Sequence, residues 1–275
     1  MTWLPGRLVL LGHPVAHSLS PGFQNAALEK AGLSLRYEAL DVPRDALAGT
    51  LERARLESWA GNVTVPHKAA VFAACGELTP IARRVGAVNA FKVIGGSLTG
   101  HNTDVIGFET ALTDLIGTVP AGALFGIVGA GGASAAVLAA IEKWSGCRAF
   151  IANRDAGRRD ALVARFRSIA QASDAATIAR NADIVVNATS LGLRDSDPLP
   201  IDPGLLRRGC AVLDLVYSPD ETRLVREARA AGFVAADGLR MLHGQGVHAF
   251  EWWFNMAPHI EVMWQALSRM RTKAP

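Results

Sequence analysis

The chain has 275 residues, of which 50% are hydrophobic and 19% charged, and its formal net charge is +3. This length predicts two compact units with apolar cores, and the scattered arginines form no basic stripe that would suit nucleic acid. The sequence has no run of about 18 apolar residues, so no membrane span is predicted. The apolar run near the start is short and begins only after Pro5, which argues against a signal peptide. The widely separated Cys75, Cys147 and Cys210 favour reduced thiols in a cytoplasmic protein over a disulfide framework or a zinc site.

Strand and helix patterns alternate through the first part of the chain. The apolar run 8–11 predicts a buried strand, and Ser20 is expected to cap a helix that begins at Pro21 and ends near Gly32. Gly95 and Gly96 predict a two-residue hairpin turn between strands. The further elements predicted here are strands at 37–40, 63–65, 90–94 and 97–99 and a helix at 45–59.

The second part of the chain alternates in the same way, with nearly continuous apolar strands. That pattern is typical of a parallel, doubly wound sheet with helices on both faces, so we predict an α/β protein whose second unit is of Rossmann type. The predicted strands are 124–128, 148–152, 183–188 and 211–216, and the predicted helices are 131–144, 239–254 and 260–270.

A glycine-rich turn stands between a predicted strand and a predicted helix. Its pattern is Gly129-x-Gly131-x-x-Ser134, where glycine or alanine is more usual than serine at the third position. In this context the turn predicts a dinucleotide site, because glycines let the backbone approach a pyrophosphate and the helix start offers amide donors. The alternative is a tight turn without a ligand. The candidate cofactor residues of the turn are Gly129, Ala130, Gly131, Gly132, Ala133 and Ser134.

The end of the next strand indicates which dinucleotide is bound. Asn153 stands where an NAD site usually has an acidic residue, and Arg154 and Arg158 follow it. Guanidinium groups suit a 2′-phosphate, so the pattern favours NADP, with NAD as the alternative. Asp155 argues against NADP because a carboxylate repels a phosphate, and the arginines alone would also fit a solvated helix start.

Polar residues cluster after short apolar strands, where α/β sheets place ligands. Lys68 and Asp104 could together bind a hydroxyl and move its proton. Ser18 and Ser20 lie two residues apart, which in an extended segment puts both hydroxyls on one face, suited to a carboxylate. Each residue alone would more often be structural, Ser20 as a cap and Ser18 as a turn residue. The residues that are predicted to follow or end short apolar strands are Asn62, Thr64, Lys68, Asn89, Asn102 and Asp104.

Short motifs in a constant order over about the whole chain resemble the shikimate dehydrogenase family, which includes quinate/shikimate and aminoshikimate dehydrogenases. They include the glycine turn and Asn153-Arg154. The other matching segments are Gly12-x-Pro14, Ser18-x-Ser20-Pro21, Asn62-Val63-Thr64-Val65-Pro66-x-Lys68, Gly86-Ala87-Val88-Asn89, Gly100-x-Asn102-Thr103-Asp104-x-x-Gly107, Asn187-Ala188-Thr189-Ser190-x-Gly192, Asp214-x-Val216-Tyr217-x-Pro219 and Gly238-x-x-Met241-Leu242-x-x-Gln245-Gly246.

The resemblance implies a function and a division of the chain. The function is the NADP-dependent, reversible reduction of 3-dehydroshikimate to shikimate, a step toward aromatic amino acids. A substrate-binding and catalytic domain would span 1–104 and an NADP-binding domain 105–238. Helices at 239–275 would pack on the substrate domain. The assembly would be a monomer or a homodimer.

The resemblance also implies roles for individual residues. Lys68 and Asp104 would be the catalytic pair, and Ser18 and Ser20 would hold the substrate carboxylate. The remaining substrate residues would be Asn62, Thr64, Asn89, Tyr217 and Gln245. The cofactor would be lined, besides the glycine turn and the residues after the next strand, by Asn187, Thr189 and Gly238.

Departures from the family pattern leave other readings open. Gln24, Ala90, Leu193 and Trp252-Trp253 replace residues that are usual in the family. They leave room for a quinate/shikimate or aminoshikimate paralogue that uses NAD or NADP, or for a non-catalytic sensor of NADP or a cyclic acid. A folate-type dehydrogenase fits the motifs less well. The seven histidines have no HxH or HExxH spacing, so no metal is predicted.

Overall fold

The computed structural model describes residues 3–194, 196–218 and 220–271. Pro219 of the motif that starts at Asp214, and the last four residues of the predicted C-terminal segment, lie outside the described residues. The chain forms two compact units, one of the residues up to Asp104 together with those from His243 onward, and the other of Val105–Leu242. No helix in the described part of the chain is both long and apolar enough to span a membrane.

The first unit is built on a mixed sheet. Its strands are β1 (Leu8–Gly12), β2 (Tyr37–Asp41), β3 (Ala60–Val63), β4 (Glu77–Leu78), β5 (Ala90–Ile94) and β6 (Ser97–His101). Among the described residues these six strands follow the order β2-β1-β3-β5-β6-β4. β1 runs parallel to β2 and β3, whereas β5 is antiparallel to β3 and β6. The helices between the strands are α1 (Ser20–Lys30), α2 (Leu47–Leu56), α3 (Lys68–Ala74) and α4 (Pro80–Val85).

The third strand lies earlier than the apolar pattern predicted. β3 covers Ala60–Val63, and Val65, expected inside the strand, is 70% exposed beyond its end. Because Gly61 and Asn62 interrupt the apolar pattern, the sequence did not predict the true bounds of this central strand, which pairs with β1 on one side and β5 on the other. Gly61 is required there, because a Cβ would lie 1.9 Å from the carbonyl oxygen of Val9.

The start of the first helix also differs from the prediction. Leu19 is the N-cap, with no side-chain cap, and Ser20 is the first helical residue. Leu19 has helical dihedrals, and the hydroxyl of Ser18 accepts a hydrogen bond from the Ser20 backbone N–H at 3.2 Å. The segment is therefore a turn into the helix, and the extended geometry expected for the two serines is wrong. The helix predicted at 45–59 is shorter too, since a 3₁₀ turn at Arg44–Ala46 precedes α2.

The second unit has the predicted doubly wound sheet. Its strands are β7 (Leu124–Val128), β8 (Arg148–Ala152), β9 (Ala170–Ala172), β10 (Ile184–Asn187), β11 (Ala211–Asp214) and β12 (Val234–Ala236). In the described residues these strands are all parallel, in the order β12-β11-β10-β7-β8-β9. This order reverses direction beside β7, where such sheets bind nucleotides.

A helix precedes the strands of the second unit, and further helices lie between them in the chain. These helices are α5 (Asp104–Ile116), α6 (Gly132–Ile141), α7 (Ala156–Arg165), α8 (Ala175–Asn181) and α9 (Arg223–Ala230). α6 is rich in alanine and almost wholly buried. Gly126 in β7 permits close packing of α8, since a Cβ there would lie 2.2 Å from Ile178.

Two helices follow at the end of the chain, α10 (Leu239–Phe254) and α11 (Ile260–Arg271). The residues from His243 onward pack within the first unit. Gln24 of α1 donates a buried hydrogen bond of 2.9 Å to the carbonyl of Gly246 in α10. Gly22 of α1 faces Met270 of α11, whose sulfur lies 2.0 Å from where a Cβ would be. The C-terminal helices thereby bring Gln245 into the unit that holds Lys68.

Candidate functional site

The topology of the first sheet gathers the polar residues at one edge. Parallel strands β1 and β3 end at the same edge, and β6, antiparallel to the intervening β5, ends there as well. Thr64 follows β3, Asn89 precedes β5, and Asn102 follows β6. Chain segments that are distant in sequence thus place their side chains together, as predicted for ligand sites at strand ends.

Lys68 and Asp104 form an ion pair at this edge. Each is the first residue of a helix, α3 and α5 respectively. The Lys68 Nζ donates a hydrogen bond of 2.5 Å to the Asp104 Oδ2, and the two side chains are 21% and 7% exposed. A partly exposed lysine amine that is held by a carboxylate can exchange a proton with a ligand oxygen.

Asn89 fixes the second oxygen of that carboxylate. Its Nδ2 donates to the Asp104 Oδ1 at 2.8 Å and to the Thr103 hydroxyl at 3.0 Å. Its Oδ1 accepts the Thr103 backbone N–H at 2.7 Å. Asn102 adds a further anchor, since its Oδ1 accepts the Asp104 N–H at 3.1 Å and its Nδ2 donates to the Ala87 carbonyl. The aspartate is thereby oriented toward the lysine.

Two predicted substrate residues extend this network. Gln245 is buried, and its Oε1 lies 3.4 Å from the Asn89 Nδ2 and 3.5 Å from the Thr103 Oγ1. Asn62 is also buried, accepts the Tyr37 hydroxyl at 2.8 Å, and donates to the Asn89 carbonyl at 3.0 Å. Burial raises the pKa of Tyr37 well above its usual value, so this phenol remains a donor. Asn62 lies inside β3, not after or at the end of a strand as predicted, and both ends of its side chain bond to the protein itself.

Of the predicted hydroxyl residues, Thr64 contacts the end of β1, and Ser18 and Ser20 follow that strand in the chain. Thr64 hydrogen-bonds through its backbone N–H to the Leu11 carbonyl at 2.8 Å. Its methyl group lies 2.4 Å from where a Cβ of Gly12 would be, so a side chain at Gly12 would displace it. Ser18 is half-buried in the loop after β1, and Ser20 is buried at the start of α1. Their roles as carboxylate ligands stay predictions.

The glycine turn of the second unit has room and donors for a pyrophosphate. Gly129 has φ +121°, and a Cβ there would lie 2.8 Å from the Ala188 carbonyl oxygen. A Cβ on Gly131 would meet no described atom within 4 Å, and Gly131 gives α6 no side-chain cap. The Ser134 hydroxyl is buried and has no hydrogen-bond partner among the described residues. The open backbone and the uncapped helix start fit a dinucleotide phosphate, whereas Ser134, predicted to contact the cofactor, is 0% exposed inside the helix.

Of the residues after β8, Asn153 and Asp155 make structural contacts, whereas Arg154 and Arg158 are exposed. The Asn153 Nδ2 donates to the Asp155 carbonyl at 2.9 Å, which shapes the turn. Asp155 is the N-cap of α7, and its carboxylate accepts the Arg158 N–H at 3.0 Å and approaches the Arg158 guanidinium at 3.4 Å. The presence of Asp155, which argued against NADP, is explained by its role as the helix cap. Its position just before a predicted helix could have indicated this role.

Three remaining candidates lie in loops of the second unit. Asn187 is fully buried, and its Nδ2 donates to the Leu191 carbonyl and to the Asp214 carboxylate. Its Oδ1 accepts from the Thr189 hydroxyl at 2.7 Å. A Cβ on Gly238 would lie 2.2 Å from the Leu215 carbonyl oxygen, so glycine is needed for close backbone packing. Tyr217 is half-buried after β11. Direct ligand contact by these residues stays a prediction.

Some residues of the site were not singled out from the sequence. Thr103 links Asn89 to the aspartate loop, and its place between Asn102 and Asp104 was the available signal. Tyr37 gave no signal, because its partner Asn62 is distant in sequence. Within the described ranges, no group of three or more histidine, cysteine or acidic residues could hold a metal ion.

Comparison with known proteins assigns the family. A model of the shikimate dehydrogenase substrate-binding domain matches residues 10–91, and one of the shikimate 5′-dehydrogenase C-terminal domain matches residues 238–267. The shikimate dehydrogenase (NADP(+)) of Rubrobacter xylanophilus is 43% identical over 268 residues, which cover 94% of either chain. That of Symbiobacterium thermophilum is 41% identical over 273 residues, covering 94% of this chain and 92% of its own.

A solved structure agrees with this assignment. The shikimate 5-dehydrogenase of Thermus thermophilus, in complex with NADP(H) and shikimate, has a TM-score of 0.87 at 40% identity, covering 96% of this chain and 98% of that one. The two-unit α/β fold is that of an oxidoreductase. The chain belongs to the shikimate dehydrogenase family. The predicted resemblance and fold class are confirmed.

Proposed function

We propose that the chain catalyses the NADP-dependent, reversible reduction of 3-dehydroshikimate to shikimate, in the cytoplasm. The observation that carries this proposal is the Lys68–Asp104 pair, held at 2.5 Å and oriented by Asn89. The names of the curated relatives, and the ligands of the Thermus thermophilus structure, support the choice of substrate and cofactor.

The first unit would bind the substrate and handle the proton. Ser18 and Ser20 would hold the carboxylate, and Thr64, Asn89 and Gln245 would bind the ring hydroxyls. In the reductive direction the Lys68 ammonium donates a proton to the ketone oxygen as that oxygen becomes a hydroxyl. In the oxidative direction the neutral amine takes the hydroxyl proton back. Asp104 accepts from the lysine, and so holds Nζ beside the reacting oxygen.

The second unit would hold the nucleotide. The backbone amides of the glycine turn and of the uncapped start of α6 would contact the pyrophosphate. Arg154 and Arg158 would bind the 2′-phosphate, since their exposed guanidinium groups can grip it with paired hydrogen bonds. When bound, NADPH supplies the hydride that goes to the carbonyl carbon.

Absorbance at 340 nm with the purified protein tests the proposal. Shikimate and quinate are each crossed with NADP⁺ and NAD⁺, and we expect the highest kcat/KM with shikimate and NADP⁺. Turnover with quinate or NAD⁺ alone would assign the chain to a paralogue with another substrate or cofactor. No turnover in any combination, with NADP⁺ binding intact, would contradict catalysis on these acids and support a sensor.

A further inference from the structure

Asp214 is a wholly buried carboxylate that the proposed chemistry does not use. It ends β11 and is 0% exposed. Its Oδ1 accepts from the Asn187 Nδ2 at 2.8 Å and from the Val216 N–H at 3.1 Å. Its Oδ2 accepts from the Thr222 hydroxyl at 2.7 Å. A buried carboxylate with three donors is an organised anchor, because losing it would leave those donors unpaired.

The anchor continues through Asn187 into the loop that follows β10. The Asn187 Oδ1 accepts both the N–H and the hydroxyl of Thr189, at 3.1 and 2.7 Å. The Thr189 hydroxyl in turn accepts the Leu191 N–H at 3.0 Å, and the Asn187 Nδ2 also donates to the Leu191 carbonyl. Asp214 is thus connected by hydrogen bonds to the loop of residues 188–192.

That loop lies against the glycine turn. The Ala188 carbonyl oxygen is 2.8 Å from where a Cβ of Gly129 would be, and the Ala188 N–H donates to the Val128 carbonyl at 2.8 Å. A shift of the loop would therefore alter the space in which the turn meets a pyrophosphate. We propose that Asp214 is a positioning residue of the nucleotide site, which acts through Asn187 to hold the 188–192 loop against the glycine turn. This inference rests on the proposed binding of NADP.

The charge of Asp214 adds a pH dependence to this anchor. Burial raises the pKa of Asp214 to about 6, partly offset by the hydrogen bonds from Thr222, Val216 and Asn187. Asp237 is the charged group that acts on it among the described residues, and it also raises this pKa. Above pH 6 the bond from Asn187 is charge-assisted and stronger, so the loop should be held more firmly there.

Three variants separate positioning from general stability. Asp214→Ala removes the anchor. Asp214→Asn keeps the shape and, with its amide turned to the Thr222 hydroxyl, keeps the hydrogen bonds without the charge. Thr222→Val is the matched control, because it removes a buried partner of the other carboxylate oxygen and leaves the contact with Asn187.

The first readout uses amide hydrogen exchange at pH 7 without cofactor. We expect the Thr189 and Leu191 amides to exchange at least tenfold faster in Asp214→Ala than in the wild type or Thr222→Val. Equal exchange in all three proteins would overturn the positioning role. This readout does not depend on which nucleotide the protein binds.

The second readout is the Kd of NADP⁺ by calorimetry from pH 5 to 8. We expect Asp214→Ala to raise that Kd at least tenfold, with the Kd of shikimate unchanged within twofold. The Kd ratio of Asp214→Asn to wild type should increase from about 1 at pH 5 to several-fold above pH 7. The titration of the 2′-phosphate cancels in this ratio.

The two readouts distinguish the inference from the proposed function. A ratio without pH dependence, or an equal loss of affinity in Thr222→Val, would overturn the inference. If Asp214→Ala does not fold, the pH dependence of the Kd ratio of Asp214→Asn to wild type still tests the inference. Faster amide exchange in Asp214→Ala, combined with a wild-type protein that does not bind NADP⁺, would contradict the proposed cofactor. That result would still support the loop anchor.

Discussion

At the scale of single residues, Asn89 links the Asp104 carboxylate to the backbone of the segment that precedes it. Its Nδ2 holds the Asp104 carboxylate, and its Oδ1 holds the Thr103 backbone. Both atoms are buried, since Asn89 is 2% exposed. The orientation of Asp104, and through it of Lys68, therefore depends on a residue that need not itself exchange a proton.

Asn89→Ala should lower both activity and stability. The Thr103 N–H and one oxygen of Asp104 lose their partner in a buried site, which costs about 1–3 kcal/mol of unfolding free energy. Without its orientation Asp104 should hold Lys68 less well, so we expect kcat to fall more than tenfold. Urea denaturation and steady-state kinetics measure the two effects. A variant with wild-type kcat would show that Asp104 is oriented by other contacts.

The sequence predicted the residues of this site better than their contacts. Polar residues beside apolar strands form a recognisable pattern that marked Lys68, Asn89 and Asp104 as candidates, and the sheet topology brings these three together. The buried pair of Tyr37 with Asn62 could not be predicted, because its partners are 25 residues apart and meet only when β2 and β3 pair with β1.

At the scale of elements, the β5–β6 hairpin carries a half-buried histidine, His101, on its second strand. His101 stacks on the Trp252 ring at 4.9 Å and bonds through Nδ1 to the Thr79 hydroxyl at 2.8 Å. Lys92, on the paired strand, lies 4.4 Å above the same tryptophan ring. Burial, together with the nearby charges of Lys92 and His248, lowers the pKa of His101 to about 4.

The hairpin histidine should make the protein less stable in acid. Between pH 6.5 and 4 the unfolded chain binds a proton at His101 that the folded chain does not, so stability decreases as pH falls through this window. His101→Gln removes this titration, and we expect the variant to gain on the order of 2 kcal/mol relative to wild type between pH 7 and 4.5. Urea denaturation at both pH values measures the gain. If the difference in unfolding free energy between His101→Gln and wild type is the same at both pH values, His101 is protonated in the folded protein at pH 4.5.

Elements were predicted well where the apolar pattern was regular and poorly where packing overrode it. The regular strands β7 and β8 match their predicted bounds, 124–128 and 148–152. β3 was misplaced because its Gly61 is dictated by the approach of the β1 backbone, a tertiary requirement that gives no apolar signal. The helix cap was misassigned because Ser18, not Ser20, supplies the oxygen that accepts the backbone N–H at this turn.

At the scale of the whole molecule, the two units carry separable parts of the proposed chemistry. The residues proposed for the proton and the substrate belong to the first unit, Tyr217 apart, and those proposed for the nucleotide belong to the second. Variants in one unit should therefore change one ligand's binding without the other's.

Arg154→Ala should change cofactor preference and leave substrate binding unchanged. Loss of a guanidinium that binds the 2′-phosphate should lower kcat/KM for NADP⁺ about tenfold or more, because a charge-assisted, paired contact is lost. kcat/KM for NAD⁺, which lacks that phosphate, should stay within twofold. Arg165→Ala, at the far end of α7, is the control. An equal loss with both cofactors would remove Arg154 from phosphate recognition.

The most direct test of the account is the kinetics of Lys68→Ala, measured beside Lys92→Ala, a lysine of the same unit that contacts Trp252. If Lys68 exchanges the proton, its loss should lower kcat by about 10²–10⁴-fold. KM for shikimate should change far less, the Kd of NADP⁺ should be unchanged, and Lys92→Ala should retain its kcat. A Lys68→Ala enzyme with near-native kcat would contradict the proposed role of the Lys68–Asp104 pair.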